Sequence, residues 1–235
     1  APAPDTYALS QFPRVQAALL AFEPRSGYVP VMVGGTDFDL SQVNRTESLR
    51  QSGSVIKPVY YAKAYDLGIA PSTLVSGAPF REGNWTPEGD KAVDDMTIYQ
   101  ALTQSENNCS LRVLRMVLDR IGTEGLNDWV MRLGLSRPFS GFVAEGLGID
   151  VKASEILSAF AAFGIDGWRP DRTLIRRIRD ARGTVLLDAR SPRDPAMPVQ
   201  DAFVAMALEQ PDVTRRATTR ETAYLMQHNL NHVTE

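Results

Sequence analysis

The sequence predicts a mixed α/β fold in which helices dominate after residue 54. Three patterns point there. Two short apolar runs, 15–23 and 28–33, flank the turn residues Pro24-Arg25-Ser26-Gly27, as in a β-hairpin. From Ser54 onward, apolar residues recur at helical spacing, and several of these segments close on a glycine. Between the first two helical segments lies a long stretch, 69–95, punctuated by Pro71, Gly77, Pro79, Gly83, Pro87 and Gly89, which reads as a loop of the length that often carries function.

In chain order, Val15 to Glu23 reads as a strand buried on both faces, and Tyr28 to Val33 as its hairpin partner. Pro30 suits an edge, because proline cannot donate to a ladder. Residues 37–53 are polar and irregular. A helix is expected from Ser54 to Leu67, stopped by Gly68, and a short one from Met96 to Gln104 before the polar break Ser105-Glu106-Asn107-Asn108. Leu111, Leu114, Val117, Leu118 and Ile121 mark a helix closed by Gly122, and Thr123 to Leu133 another closed by Gly134. Ile156, Leu157, Phe160 and Phe163 share a face of a helix over 153–163. Leu174 to Ile178 and Thr184 to Leu187 flank Asp180-Ala181-Arg182-Gly183 as a second hairpin, and 199–208 and 219–233 are helical again. Residues 1–13 read as a linker, and 14–235 as one domain with an opening hairpin over 14–35 and a mainly helical part from 54.

Composition narrows the function. Hydrophobic residues make up 43% and charged residues 23% of 235 residues, as in ordinary globular domains, and the net charge of −3 argues against a nucleic-acid-binding face. Arg176, Arg177 and Arg179 read as a solvated face. A single cysteine, Cys109, leaves no partner for an internal disulfide and no cysteine cage for zinc. No apolar run reaches the roughly 18 residues of a membrane span. Ala1-Pro2-Ala3-Pro4 reads as a linker or the edge of a longer chain.

The chemistry concentrates in Gly53-Ser54-Val55-Ile56-Lys57-Pro58. A serine hydroxyl becomes nucleophilic when a neighbouring base takes its proton. At i and i+3 on a helix, Ser54 and Lys57 share a face. Pro58 is tolerated only in a first turn, so the helix begins near Ser54 and its positive dipole end faces the hydroxyl. The spacing by itself equally describes a capping serine with a surface lysine, the commoner origin of such four-residue matches. Ser105-Glu106-Asn107, in the break between two helices, can present a hydroxyl and a carboxamide to a cleft or simply cap the next helix.

In this order, S-x-x-K and then S-x-N resemble the signature of serine β-lactamases and penicillin-binding proteins. The likeness extends beyond the motifs. The run Asn44-Arg45 through Pro58, the hairpin Leu19 to Gly35, the loop Asn84-Trp85-Thr86-Pro87, the segment Thr97 to Leu102, and the helix 153–163 with the hairpin after it resemble the transpeptidase domain of class A, bifunctional penicillin-binding proteins. The resemblance implies an antiparallel sheet flanked by a large helical subdomain. It implies that Ser54 attacks a terminal D-Ala-D-Ala peptide bond, that Lys57 takes its proton, that Ser105 relays a proton to the leaving group, and that Asn107 binds the substrate amide; Trp85 lines the groove. No metal or cofactor is expected. The partners implied are peptidoglycan stem peptides, β-lactam antibiotics and the remainder of the parent chain, on the outer face of the cytoplasmic membrane or in the periplasm, with membrane attachment only through an N-terminal anchor.

One departure stands out. The family's third motif, Lys-Thr/Ser-Gly on a strand, has no counterpart among the 235 residues. The expectation is a domain truncated before that motif, lacking the last sheet strands and impaired as a catalyst alone. A serine hydrolase of the same fold (carboxypeptidase, β-lactamase or β-lactam sensor) and a non-catalytic binding module are the competing readings. Elsewhere, His228 and His232, four apart, read as a solvated helix face; Cys109 as a half-buried helix residue; Asp94 and Asp95 as helix caps; Trp129 and Trp168 as core.

Overall fold

The computed structural model describes residues 15–87, 91–188, 190, 197–208 and 216–233. The expected linker, 1–13, lies outside them. The described residues form six α-helices, α1 (Lys57–Asp66), α2 (Ile98–Thr103), α3 (Asn107–Arg132), α4 (Ala153–Gly164), α5 (Val199–Leu208) and α6 (Arg220–Asn231); all but α5 contribute to one apolar core, and Val199, Phe203 and Val204 of α5 are exposed. Strands form four separate two-stranded antiparallel ladders among the described residues. They are β1 (Leu19–Ala21) with β2 (Val31–Val33), β3 (Arg50–Gln51) with β6 (Asp150–Val151), β4 (Leu74–Val75) with β5 (Met96–Thr97), and β7 (Arg177–Arg179) with β8 (Val185–Asp188).

The core is built around α1. Its residues from Lys57 to Tyr65 are all buried, so the helix has no solvent face over that span, as expected of a central helix. It packs against both α3 and α6. Three tyrosines bring polar tips into this interior, and each tip finds a partner, as buried polar groups must. The Tyr60 hydroxyl donates to Gly146 O (3.0 Å), Tyr61 bonds Ser110 Oγ (2.8 Å), and Tyr65 donates to Asn229 Oδ1 (2.6 Å). Trp129 is buried as expected, its indole N–H on Val59 O at 2.9 Å.

The hairpin forms as the turn residues dictate, pairing Leu19 with Val33 and Ala21 with Val31. It is not buried on both faces. Leu19 is 59% and Val33 46% exposed, because among the described residues no third strand flanks the pair. Pro30 sits just ahead of β2, where its missing N–H breaks no ladder bond. The break at Gly122 is real: its φ of 65° and ψ of 178° divide α3 at the position the sequence marks.

Several expectations need correction. Asp94 and Asp95 do not cap α2; Thr97 does, in a capping box with Gln100, while the Asp95 carboxylate accepts the Gly77 N–H at 3.1 Å. Trp168 is only half buried, stacked under the Arg216 guanidinium at 5.2 Å. Cys109 is fully buried, not half. The last helix buries Thr222, Ala223, Met226 and Asn229 against the core. His228 is exposed, yet it stacks on Tyr224, and His232 Nδ1 meets the Tyr99 hydroxyl at 2.6 Å, so the pair belongs to an aromatic cluster joining α6 to α2.

Candidate active site

The approach to Ser54 is fixed from two directions. The β3–β6 ladder is too short to have shown a period in the sequence. It sets residues 50–51 against 150–151, and just beyond it Ser52 N–H donates to Ile149 O (2.9 Å) while Ile149 N–H donates to Ser52 Oγ (3.1 Å). Gly53 then takes φ 56°, a left-handed conformation that glycine adopts without steric cost, with its N–H held by Gln51 Oε1 at 2.7 Å.

The chain does not enter an α-helix at once. Gly53–Ile56 is a 3-10 turn that runs into α1. In a 3-10 turn, residues i and i+3 eclipse one another, so Ser54 and Lys57 align on one edge more directly than in an α-helix. Pro58 is the second residue of α1, where a backbone N–H has no helical partner to lose. The two aligned residues differ sharply in setting: Ser54 is exposed, whereas Lys57 is fully buried.

Lys57 Nζ reaches Ser105 O at 2.7 Å, Asn107 Oδ1 at 2.7 Å and Ser105 Oγ at 3.2 Å. Thus residues 48 and 50 positions apart in sequence converge on one nitrogen. These contacts match the three hydrogens of an ammonium. Two of the three acceptors, a carbonyl and an amide oxygen, can only accept. The third, a hydroxyl, can also donate. A neutral amine in this seat keeps two donated bonds and turns its lone pair toward a hydroxyl.

Ser105 owes its position to a helix end. Its N–H bonds Leu102 O (3.0 Å) and the next N–H, of Glu106, bonds Ala101 O (2.9 Å). This is a Schellman cap on α2. The left-handed residue of such a cap is usually glycine; here it is Ser105, at φ 54°. A non-glycine residue there carries about 1–2 kcal/mol of strain. The strain comes with a hydroxyl and a carbonyl both aimed at Lys57. Glu106, and neither Ser105 nor Asn107, caps α3, its carboxylate accepting the Cys109 N–H at 2.9 Å. All three residues of the S-x-N motif are thereby assigned: helix cap and hydroxyl, N-cap, and carboxamide.

Trp85 is not part of this cluster. It is half buried, its ring edge-on to Phe80 at 6.4 Å, in a tight turn where Glu82 and Trp85 exchange backbone hydrogen bonds. Residues without a motif of their own also build the site. Tyr61 and Ser110 tie α1 to the first turns of α3, and Ser110 Oγ donates to Glu106 O. Asn108 anchors the neighbouring loop. Only the Asn107-Asn108 doublet, ahead of the Leu111 period, hinted at it. Among the described residues, no three His, Cys, Asp or Glu side chains gather as metal ligands, and no helix is long and apolar enough to cross a membrane.

Comparison with known proteins supplies independent context. The family model for the penicillin binding protein transpeptidase domain matches residues 17–182. Penicillin-binding protein 1A of Pseudomonas aeruginosa is 31% identical over 209 residues, spanning 84% of this chain and 24% of that protein. The protein of the same name from Neisseria lactamica is 30% identical over 237 residues, spanning 93% and 29%. The chain thus spans about a quarter of the length of these relatives. Among solved structures, penicillin-binding protein 1A from Haemophilus influenzae superposes with a TM-score of 0.78 at 25% identity, over 96% of this chain and 36% of that one. The PonA1 protein from Mycobacterium tuberculosis in complex with penicillin V shares the fold, with a TM-score of 0.64 at 20% identity, over 77% and 54%.

Proposed function

This chain belongs to the penicillin-binding protein transpeptidase domain family, and from that premise we propose that it is the acyl-transfer part of a peptidoglycan D,D-transpeptidase with Ser54 as nucleophile. The observation that carries the reading is the buried Lys57 amine, one 3-10 turn from an exposed serine and bonded to both Ser105 and Asn107. A lysine taken out of water gives up its proton more readily than a solvated one.

In this reading Ser54 Oγ attacks the carbonyl carbon between the two terminal D-alanines of a stem peptide, and its proton passes to Lys57. The C–N bond breaks. The departing D-alanine amine receives a proton relayed through Ser105, leaving an ester on Ser54. An amine of a neighbouring stem peptide then attacks that ester, forming the cross-link and releasing the serine. The Ser54 backbone N–H serves as one oxyanion donor. Asn107 hydrogen-bonds the substrate amide. A β-lactam ring is opened by the same attack and stays on Ser54. The chemistry operates outside the cytoplasmic membrane, where stem peptides are found. We infer also that the 235 residues alone acylate slowly, since they carry no Lys-Thr/Ser-Gly triplet to bind the substrate carboxylate.

The test is covalent labelling by a fluorescent penicillin in the full-length protein, with the adduct mapped by mass spectrometry. The expected result is one adduct on Ser54, lost in Ser54→Ala. No adduct under saturating β-lactam would overturn the enzyme reading in favour of a binding module. Product analysis with an added amine acceptor separates transfer from hydrolysis, and labelling of the isolated 235 residues at the full-length rate would show the triplet dispensable.

A further inference from the structure

The first turn of α3 holds more than Asn107. Asn108, next to it, is fully buried, and both ends of its carboxamide are engaged. Oδ1 accepts the Phe80 N–H at 2.9 Å, and Nδ2 donates to Lys91 O at 3.0 Å. The long loop between α1 and α2 thus has its outgoing limb, 75–80, and its returning limb, 91–95, pinned to one side chain. Neighbours on the same helix reinforce the outgoing limb. Cys109 Sγ lies 3.5 Å from Ser76 O, and Arg112 donates to Ala78 O at 2.8 Å and stacks over the Phe80 ring at 5.4 Å. The limbs also clasp each other: Val93 N–H donates to Gly77 O (3.0 Å), and a Cβ at Gly77 would collide with the Val93 and Asp94 carbonyls. At the turn beyond, Glu82 pairs with Arg115 of α3.

We infer that Asn108 is a positioning residue of the site: it locks the two limbs into a fixed wall beside Asn107 and thereby sets where the Asn107 carboxamide meets the substrate amide. The inference rests on the acyl-enzyme reading above. Two consecutive carboxamides divide the work, Asn107 facing Lys57 and Asn108 facing the wall, so movement of either limb is transmitted to Asn107 through a single peptide unit. Lys57 keeps its two contacts to Ser105 whatever the wall does. Loss of the Asn108 clamp therefore acts on binding before chemistry.

The experiment uses the full-length protein and a fluorescent penicillin, with the acylation rate followed against concentration to separate the binding constant from the limiting rate. Asn108→Ala is expected to weaken binding about tenfold, a loss of about 1.4 kcal/mol, and to leave the limiting rate within about threefold. Hydrogen exchange at the Phe80 amide rises in parallel. Arg112→Ala, on the half-exposed side of the helix, shifts binding in the same direction by less and serves if Asn108→Ala does not fold. Trp129→Phe, which loses one buried hydrogen bond elsewhere in the core, is the stability control and leaves the binding constant unchanged. Wild-type binding in both Asn108→Ala and Arg112→Ala overturns the inference while leaving Ser54 labelling intact. Equal weakening in Trp129→Phe overturns it too, since the effect is then general loosening. Absence of Ser54 labelling in the wild type removes the reading it rests on and the inference with it.

Discussion

At Ser105, stability and chemistry pull in opposite directions. Its φ of 54° belongs to a Schellman position where glycine is favoured, and a Cβ there is held against its preference. The hydroxyl and carbonyl on Lys57 are what that strain secures. Two substitutions separate the effects. Ser105→Ala removes the hydroxyl and keeps the strained Cβ; Ser105→Gly removes both. Ser105→Gly is expected to be more stable than Ser105→Ala by about 1 kcal/mol, the reverse of their order in a helix interior. Both variants lose most acylation. Urea unfolding midpoints of the two proteins provide the measurement, and an alanine variant equal or superior in stability would show that Ser105 is not strained. The helical turn that carries Ser54 and Lys57 was legible because it is local and Pro58 marks its start. The meeting of Lys57 with Ser105 and Asn107 was not, because it spans about fifty residues and no periodicity encodes it. Only motif order pointed there.

Elements tell a similar story about what a sequence displays. Helical patterning located α2, α4 and α5, and a stop glycine caught the division of α3 at Gly122. Ladders of two residues, such as β3–β6, have no period to detect, yet that one aligns the entry to the Ser54 turn. The role of α6 was hidden for a different reason: besides Met226, it is anchored to the core by a polar side chain. Asn229 is fully buried and bonds Tyr65 Oη at 2.6 Å, Tyr99 O at 3.1 Å and Thr103 Oγ1 at 3.1 Å, so one carboxamide ties α6 to both α1 and α2. Polar residues on a helix read as solvated unless a partner is known. Asn229→Ala leaves the buried Tyr65 hydroxyl without its acceptor, and an orphaned buried group costs its full desolvation. The expected loss is about 2–3 kcal/mol in urea unfolding. Asn229→Ala with Tyr65→Phe should recover part of that loss, since the orphan is then removed; a fully additive double variant would mean the two side chains do not act as a pair.

At the scale of the whole molecule, burial of four weak acids among the described residues, Tyr60, Tyr61, Tyr65 and Cys109, gives the fold a one-sided pH dependence. Burial raises the hydroxyls of Tyr60, Tyr61 and Tyr65 well above the ordinary tyrosine range, with the Ser110 hydrogen bond opposing this only in part at Tyr60 and Tyr61. Burial, aided by the nearby Glu106 carboxylate, pushes the Cys109 thiol up to about 11. In the unfolded chain a thiol titrates near pH ~8.5 and a phenol near ~10. A folded pKa above the unfolded one means that the folded state holds its proton longer. The stability it contributes is complete below the unfolded value and is lost as pH rises through the folded one. The unfolding midpoint in urea is therefore expected to hold steady below about pH 8 and to fall from roughly 8.5 upward, first through Cys109 and then, above about 10, through the three tyrosines. Cys109→Ala should flatten the first part of that decline and leave the second. Midpoints measured at intervals from about pH 7 to 11 in both proteins decide it. A wild-type midpoint that stays level to about pH 11 would mean that these groups ionise as freely in the folded protein as in the unfolded chain, and that the interior around α1 is open to water.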